Sequence, residues 1–238
     1  MRGHGMNGGP PMDAAARHGR AVAESYDSVA GLYIELFGDE ELAEPEDRDA
    51  IIAWATSCGG AVLDAGCGPG HWTEALAKRG IEVSGVDLSG RFLEHARRRY
   101  PGLLFQQADL RTLPFAERSL GGVLAWFSLI HFEEGELREA LREFHRVLSP
   151  GGRLLLGFFR GEGDGPSRFA HKVTPAWAWP SSWLAGELAS AGFLPVSSRG
   201  REATESQRAQ GFWVAVKAPA GWAEEPSTPG VVQSRGSV

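Results

Sequence analysis

The chain is poor in the features that define several large classes of protein. It has only two cysteines, Cys58 and Cys67, and they do not form a C-x-x-C pair, so neither a disulfide framework nor a metal site is expected. No apolar run approaches the roughly 20 residues that span a bilayer, and no such run follows the N-terminal basic residues as it would in a secretory signal. The formal net charge of −6 lacks the basic excess of a nucleic-acid binder. The sequence therefore predicts a cytoplasmic protein that binds no metal, membrane or nucleic acid.

What the chain does contain is enough apolar sequence for one packed domain. Hydrophobic residues make up 42% of the 238 residues, a length that suits one substantial domain. Residues 1–20 are rich in Gly, Pro and Ala and are predicted to form a disordered leader that is partly helical near Ala14-Ala15-Ala16. Residues 219–238, rich in Pro, Gly and Ser, are predicted to form a disordered tail. The domain itself is expected over 21–218, with N-terminal helices covering it in 21–58.

Short apolar runs alternate with amphipathic segments through this domain. Strands are predicted at 61–63, 82–86, 103–105, 123–125 and 154–156, with two later strands near 194–196 and 212–216. Helices are predicted at 71–78, 91–99, about 137–148 and 181–192, the third having one apolar face. Nearly all-apolar strands separated by helices predict a doubly wound α/β fold with helices on both faces of a parallel sheet. Ligands of such sheets bind beyond the carboxyl ends of the strands.

A glycine-rich turn follows the first predicted strand, in the sequence Val62-Leu63-Asp64-Ala65-Gly66-Cys67-Gly68-Pro69-Gly70. Glycines there let the backbone approach a ligand closely, because no Cβ intervenes. A dinucleotide motif would need its third glycine at position 71, where His71 stands, and the Gly-Lys-Ser/Thr of a P-loop is missing. The spacing therefore disfavours an NAD- or FAD-dependent oxidoreductase, an alternative that measured binding of NAD would restore.

This segment resembles the first motif of the class I S-adenosylmethionine (SAM)-dependent methyltransferases, in which an acid precedes G-x-G-x-G. The resemblance implies SAM as the cofactor and a Rossmann-like, mostly parallel sheet of seven strands with an antiparallel C-terminal strand. It assigns the amino-acid end of SAM to Asp64 and to the peptide groups of the loop. The loop residues concerned are Ala65, Gly66, Cys67, Gly68 and Gly70.

Three further segments follow in the family's order. Asp87, about 20 residues after the first glycine, is expected to accept hydrogen bonds from the ribose hydroxyls, with Leu88 beside it. The resemblance assigns Asp109 to the adenine amino group and the Leu110 backbone to the ring. Trp126 and Phe127 fall in the fourth segment, which passes the methionine part of SAM and faces the acceptor in relatives.

Four further residues are candidates for contact with SAM or the acceptor. Ser25 to Tyr33 resembles a Y-D-x-x-A-x-x-Y segment of small-molecule methyltransferases, so Tyr26 and Tyr33 are predicted to share a helix face above the cofactor. Packing of this helix on the core explains both tyrosines equally well. His131 follows the fourth strand and is the candidate general base, with an orienting or packing histidine as the alternative. His171 is a weaker candidate.

The resemblance implies transfer of a methyl group from SAM to a small molecule, by a monomer or homodimer. Such a displacement needs mainly alignment and proximity. Aromatic residues between 160 and 180, among them Phe169, Trp177 and Trp179, favour an aromatic or apolar acceptor. Similarity to ubiquinone/menaquinone C-methyltransferases and natural-product tailoring enzymes points to a metabolite of secondary metabolism. A protein methyltransferase and a non-catalytic SAM-binding module stay open as alternatives.

Overall fold

The computed structural model describes residues 14–37, 39, 41, 43–205 and 207–219. Within that part of the chain, no helix is both long and apolar enough to cross a membrane. The helices and strands, in chain order, are α1 (Ala14–Phe37), α2 (Pro45–Thr56), β1 (Val62–Ala65), α3 (His71–Ala77), β2 (Val83–Asp87), α4 (Gly90–Arg99), β3 (Leu104–Gln107), β4 (Leu120–Trp126), α5 (Glu134–Val147), β5 (Leu148–Arg160), β6 (Ser167–Phe169), β7 (Ala176–Trp179), α6 (Ser181–Ser190), β8 (Phe193–Arg201) and β9 (Gln210–Lys217).

The strands form one sheet whose central part runs β3-β2-β1-β4-β5, with every neighbouring pair parallel. Strand β9 pairs antiparallel with β5, and β8 pairs antiparallel with β9. These seven strands confirm the predicted sheet, mostly parallel with an antiparallel C-terminal strand. The chain winds outward from β1 to β3 and then crosses to β4, so β1 and β4 flank the switch point at which such sheets bind ligands.

Both faces of the sheet are buried, which explains why the strands are almost entirely apolar. On one face, Leu63 and Val123 pack beneath α5. On the other face, Val62 and Leu124 pack with Trp54 of α2 and with α3. Neighbouring residues of a strand thus enter different clusters, as the two-residue period of a strand requires. Helices on both sides hold the strand ends, and the loops that follow them, in fixed positions.

Helix α1 corrects the predicted disordered leader. The leader was expected to extend to residue 20, but the helix begins at Ala14. Ala14, Ala15 and Ala16 favour a helix intrinsically, and tertiary contacts hold its first turns, since the Ala15 carbonyl accepts a hydrogen bond from Arg111. Residues 1–13, and residues 220–238 of the predicted tail, lie outside the described part of the chain.

Strands β6 and β7 lie in a segment where the sequence predicts none. They pair antiparallel with each other, and β7 also pairs parallel with β5 at Phe159 and Arg160. Strand β4 ends opposite Gly157, and β9 occupies the other edge of β5, so β7 takes the edge that β4 leaves. The β6–β7 pair therefore stands just beyond the carboxyl end of β4, beside the predicted site.

Candidate functional site

The glycine-rich loop after β1 is held tightly on one side and open on the other. The Gly66 and Cys67 amides donate to the Val86 carbonyl at 2.8 and 2.9 Å. Gly66 has a φ of +79°, and a Cβ there would lie 2.2 Å from Ser128 Cβ, so only glycine fits. Gly68 has a φ of +53° but faces open space, with nothing within 4 Å of a Cβ. The open side of the loop is thus backbone at Gly68.

Asp87, at the end of β2, is fixed by this loop and retains capacity for a ligand. Its Oδ2 accepts from the Gly68 amide at 2.9 Å and its Oδ1 from the Ser89 amide at 2.8 Å. A carboxylate offers about four acceptor positions, so about two remain for hydroxyl groups. Burial raises the pKa of Asp87, and the hydrogen bonds from Ser89 and Gly68 oppose that shift. The partly buried carboxylate beside an open glycine fits a ribose diol.

Asp64, at the end of β1, is more deeply placed than the sequence suggested. Only 2% of the residue is exposed, and its Oδ2 accepts from Thr73 Oγ1 at 2.7 Å. Burial raises the pKa of Asp64 to about 7, and the charge of Asp87 adds to the shift, while the bond from Thr73 opposes it. In this arrangement Asp64 connects α3 to β1. Its contact with the amino-acid end of SAM stays a prediction.

Asp109 follows β3 and accepts two side-chain hydrogen bonds from Arg111, a residue that the sequence did not single out. Asp109 Oδ1 accepts from Arg111 Nε at 2.9 Å, and Oδ2 accepts from Arg111 Nη2 at 2.5 Å. Desolvation is the largest influence on the Asp109 pKa and would raise it, but the Arg111 bonds and charge outweigh desolvation and lower the pKa. Leu110, next in the chain, is buried. The only local sequence signal for the Asp109–Arg111 pair was that a basic residue stands two positions after the acid.

Helix α1 lies across the carboxyl ends of β2, β3 and β4. Gly19 approaches Leu88 and Asp109, since a Cβ there would lie 3.4 Å from Leu88 Cδ1 and 3.9 Å from Asp109 Oδ2. Asp27 Oδ1 accepts from Ser89 Oγ at 2.5 Å, at the start of α4. Tyr26 and Tyr33 meet edge to face with ring centroids 5.5 Å apart. The two tyrosines therefore share one face of α1, where both also contact Phe92 of α4, and their contact with a cofactor stays a prediction.

His131 has both ring nitrogens in hydrogen bonds. Its Nδ1 lies 3.0 Å from the Pro175 carbonyl, which can only accept, so Nδ1 carries the proton. Its Nε2 therefore accepts from the Tyr26 hydroxyl at 2.8 Å. Burial, the largest cause, lowers the His131 pKa to about 4 and keeps the ring neutral near pH 7. His131 can take a proton from an acceptor only after Tyr26 moves away, so in this state it orients Tyr26.

Aromatic rings continue from His131 along the ends of β4 and β5. His171 lies 5.3 Å from His131 between ring centroids, and Phe169 lies 5.2 Å from Phe159. Phe159 in turn lies 5.1 Å from Phe127, whose φ of +55° is rare for a residue with a side chain. We call these four side chains, of which His171 contacts His131, the aromatic row: Phe127, Phe159, Phe169 and His171.

Three tryptophans that the sequence offers as candidates for contact with SAM or the acceptor pack mainly against neighbouring protein groups. Trp126 lies against Gly157, where a Cβ would come within 2.7 Å of the indole. Trp179 is 1% exposed and belongs to the core. Trp177 stacks on Trp179 at 5.9 Å between centroids and is partly buried against the same core. Trp177 and Trp179 therefore pack rather than line an open site.

Comparison with known proteins finds a family match in the centre of the chain. Residues 62–152, from β1 into β5, match the family described as "Methyltransferase domain". This range contains the glycine-rich loop, Asp87, Asp109 and His131.

Two curated relatives illustrate the range of similar proteins. The malonyl-[acyl-carrier protein] O-methyltransferase of Erwinia billingiae is 35% identical over 159 residues, which is 66% of this chain and 59% of that protein. The demethylmenaquinone methyltransferase of Chlorobaculum parvum is 40% identical over 92 residues, or 38% of this chain and 37% of that protein. The matches thus cover less than two thirds of either relative's length.

A solved structure of similar fold covers nearly the whole described chain. The 1,6-didemethyltoxoflavin-N1-methyltransferase of Burkholderia thailandensis, crystallised with 1,6-didemethyltoxoflavin and S-adenosylhomocysteine, superposes with a TM-score of 0.71. The match covers 88% of this chain and 93% of that chain at 23% identity. At that identity the comparison establishes the fold.

Proposed function

We propose, from the match of residues 62–152 to a methyltransferase domain, that this protein is a class I SAM-dependent methyltransferase that transfers a methyl group from SAM to a small-molecule acceptor. The observation that carries the proposal is the bond between the Gly68 amide and Asp87 Oδ2, 2.9 Å long. It joins the open glycine of the β1 loop to the partly buried acid at the end of β2. One edge of the sheet thus offers backbone and a carboxylate to the same ligand.

The described residues fit SAM at this edge. Asp87 would hold the ribose hydroxyls with its two remaining acceptor positions, next to Leu88. Asp109 and the Leu110 backbone would hold adenine, and Asp64 with the loop from Ala65 to Gly70 would hold the amino-acid end. Ser128 Oγ is buried beside Gly66 without a hydrogen-bond partner among the described residues, so it is available to a ligand there. Bound SAM supplies an electrophilic methyl group, so the protein's main tasks are alignment and exclusion of water.

The acceptor we propose is a planar or apolar metabolite placed against the aromatic row. Aromatic faces bind flat rings through stacked or edge contacts, and small-molecule sites are mainly apolar with a few placed polar groups. The relatives named above act, by their names, on demethylmenaquinone, on a malonyl-carrying protein and on 1,6-didemethyltoxoflavin. Two of these three acceptors are small molecules, and the third keeps a protein-bound acceptor as the second candidate.

His131 and Tyr26 would act at the border between donor and acceptor. A neutral His131 with its proton on Nδ1 presents a lone pair on Nε2. If the acceptor displaces the Tyr26 hydroxyl, Nε2 becomes free to accept the acceptor's proton. The pKa of about 4 makes His131 a weak base, which suits an acceptor whose own proton is acidic.

The test has two stages, donor binding and methyl transfer. Calorimetry with S-adenosylhomocysteine should show binding to the wild-type chain and a clear loss in Asp87→Asn, with Arg138→Lys as a control distant from the site. Radiolabelled SAM is then offered with quinols, planar nitrogen heterocycles and a malonyl-charged acyl carrier protein. Label in a small molecule supports the proposal, and label in the carrier protein supports the second candidate. Binding without any transfer would instead indicate a non-catalytic module, and no binding would overturn the proposal.

A further inference from the structure

Arg111 joins three parts of the molecule through a single guanidinium group. Its Nε and Nη2 donate to Asp109 after β3, and its Nη1 donates to Glu136 Oε1 of α5 at 3.0 Å. Nη2 also donates to the Ala15 carbonyl of α1 at 3.0 Å. Only 8% of the Arg111 side chain is exposed. The contacts are therefore those of a buried junction rather than of a surface ion pair.

The chemistry of this junction requires arginine. A guanidinium has five N–H donors in a rigid planar fork, and the contacts above engage four of them. Two parallel bonds to the Asp109 carboxylate fix its plane as well as its position. A lysine has a single ammonium and cannot span the same three acceptors in this geometry.

Glu136 extends the junction to α1 at a second point. Its Oε2 lies 2.8 Å from His18 Nδ1 and also accepts from the Glu133 amide at 2.9 Å, where it helps cap α5. On the α1 side, Gly19 allows the close approach, since a Cβ there would lie 3.4 Å from Arg111 Nη2. The first two turns of α1 are thus attached to the same guanidinium that holds Asp109.

We propose that Arg111 is a positioning residue for donor binding, which couples the docking of α1 to the orientation of Asp109. This inference rests on the proposed function, because Asp109 is the acid assigned to adenine. A donor that uses Asp109 stabilises the Asp109–Arg111 pair and, through Ala15 and Glu136, the start of α1. Conversely, loss of the α1 contacts leaves Arg111 freer to turn and weakens the donor site.

The primary test is Arg111→Lys compared with Arg138→Lys. Arg138 also bridges two acids, Glu134 and Glu187, but it contacts neither α1 nor Asp109. In Arg111→Lys, affinity for S-adenosylhomocysteine should fall about 10- to 100-fold, as expected when charge-assisted bonds are lost. Hydrogen exchange at residues 14–25 should slow when ligand is added to the wild type but not to Arg111→Lys. Arg138→Lys should behave as wild type in both measurements.

A second pair of variants keeps the inference testable if Arg111→Lys folds poorly. Gly19→Leu should hold α1 away from Arg111 and weaken binding, while Gly19→Ala fits the 3.4 Å space and should not. Gly31→Leu, on an open face of the same helix, controls for a bulky side chain. Unchanged affinity in both Arg111→Lys and Gly19→Leu, or lower affinity with unchanged ligand-dependent exchange, overturns the coupling. If the wild type itself does not bind the ligand, the proposed function fails first, and the exchange of α1 without ligand still tests whether Arg111 anchors it.

Discussion

Replacement of single glycines in the β1 loop separates the steric demands of the fold from those of the ligand. In Gly66→Ala, the left-handed φ of +79° costs about 1–2 kcal/mol. The new Cβ would also lie 2.2 Å from Ser128 Cβ, and relief of such overpacking typically costs a further ~1–3 kcal/mol. In Gly68→Ala, at φ +53° with nothing within 4 Å, only the backbone cost of about 1–2 kcal/mol applies.

The assay is thermal unfolding with and without S-adenosylhomocysteine. For a domain of this size, about 1 kcal/mol shifts the Tm by roughly 2–4 °C, so we expect a loss of about 4–20 °C for Gly66→Ala and about 2–8 °C for Gly68→Ala. A ligand that binds only the native state raises the Tm. Gly68→Ala should lose that rise despite its mild cost, because its methyl group enters the open side of the loop.

Gly80→Ala is the matched control for both variants. Gly80 has a φ of +78° and nothing within 4 Å, but it lies after α3 and away from the site. It should show the backbone cost and keep the full ligand-induced rise. A Gly66→Ala variant as mild as Gly80→Ala would refute the steric reasoning. A Gly68→Ala variant with a full ligand-induced rise would refute the placement of the ligand beside Gly68.

Three further changes test the hydrogen bonds and charges of the site. Tyr26→Phe leaves His131 Nε2 buried without its donor, so unfolding in urea should show a loss of about 1–3 kcal/mol, and a loss under ~0.5 kcal/mol would argue against the bond. Asp87→Asn removes the negative charge of the group that accepts the hydrogen bond from the Gly68 amide. The affinity for S-adenosylhomocysteine should fall about tenfold or more in calorimetry, and an affinity within twofold of wild type would contradict the role of Asp87. Burial raises the Asp64 pKa to about 7, above its unfolded value of about 3.9. The native state therefore holds the proton more tightly, and the wild type should lose stability relative to Asp64→Asn as pH rises from about 4 to about 7, then no further. A difference between the two that is constant from pH 5 to pH 8 would show that Asp64 does not titrate in this way.

The glycine-rich loop and the acids of the strand ends could be found from sequence because they depend on local geometry. Gly66, Gly68 and Gly70 all have positive φ, and this backbone conformation favours glycine at each position independently of distant contacts. Asp64 and Asp87 end their strands, and parallel pairing brings those ends to one edge of the sheet. The apolar strands predicted a parallel sheet buried on both faces, and the structure supplied its strand order, β3-β2-β1-β4-β5. Local signals therefore predict the edge of the sheet at which a ligand is proposed to lie.

The roles of His131 and Arg111 depend on partners far away in the chain. His131 pairs with Tyr26 across 105 residues, and Arg111 reaches Ala15 across 96 residues. Neither pairing leaves a periodicity or a spacing in the sequence, because each depends on how α1 packs over completed strand ends. The sequence predicted a general base at His131 and gave no indication of the contacts that Arg111 makes.

The sequence by itself thus determined the central parallel sheet, the glycine-rich loop and the acids at the strand ends, Asp64, Asp87 and Asp109. These features follow from backbone conformation and from the burial period of each segment. Only the tertiary structure decided that α1 starts at Ala14 and crosses the site, that β7 takes the edge of β5 which β4 leaves, and that His131 faces Tyr26. Those features arise where separate elements meet. Their stabilisation comes from contacts between residues distant in the chain, which no local pattern encodes.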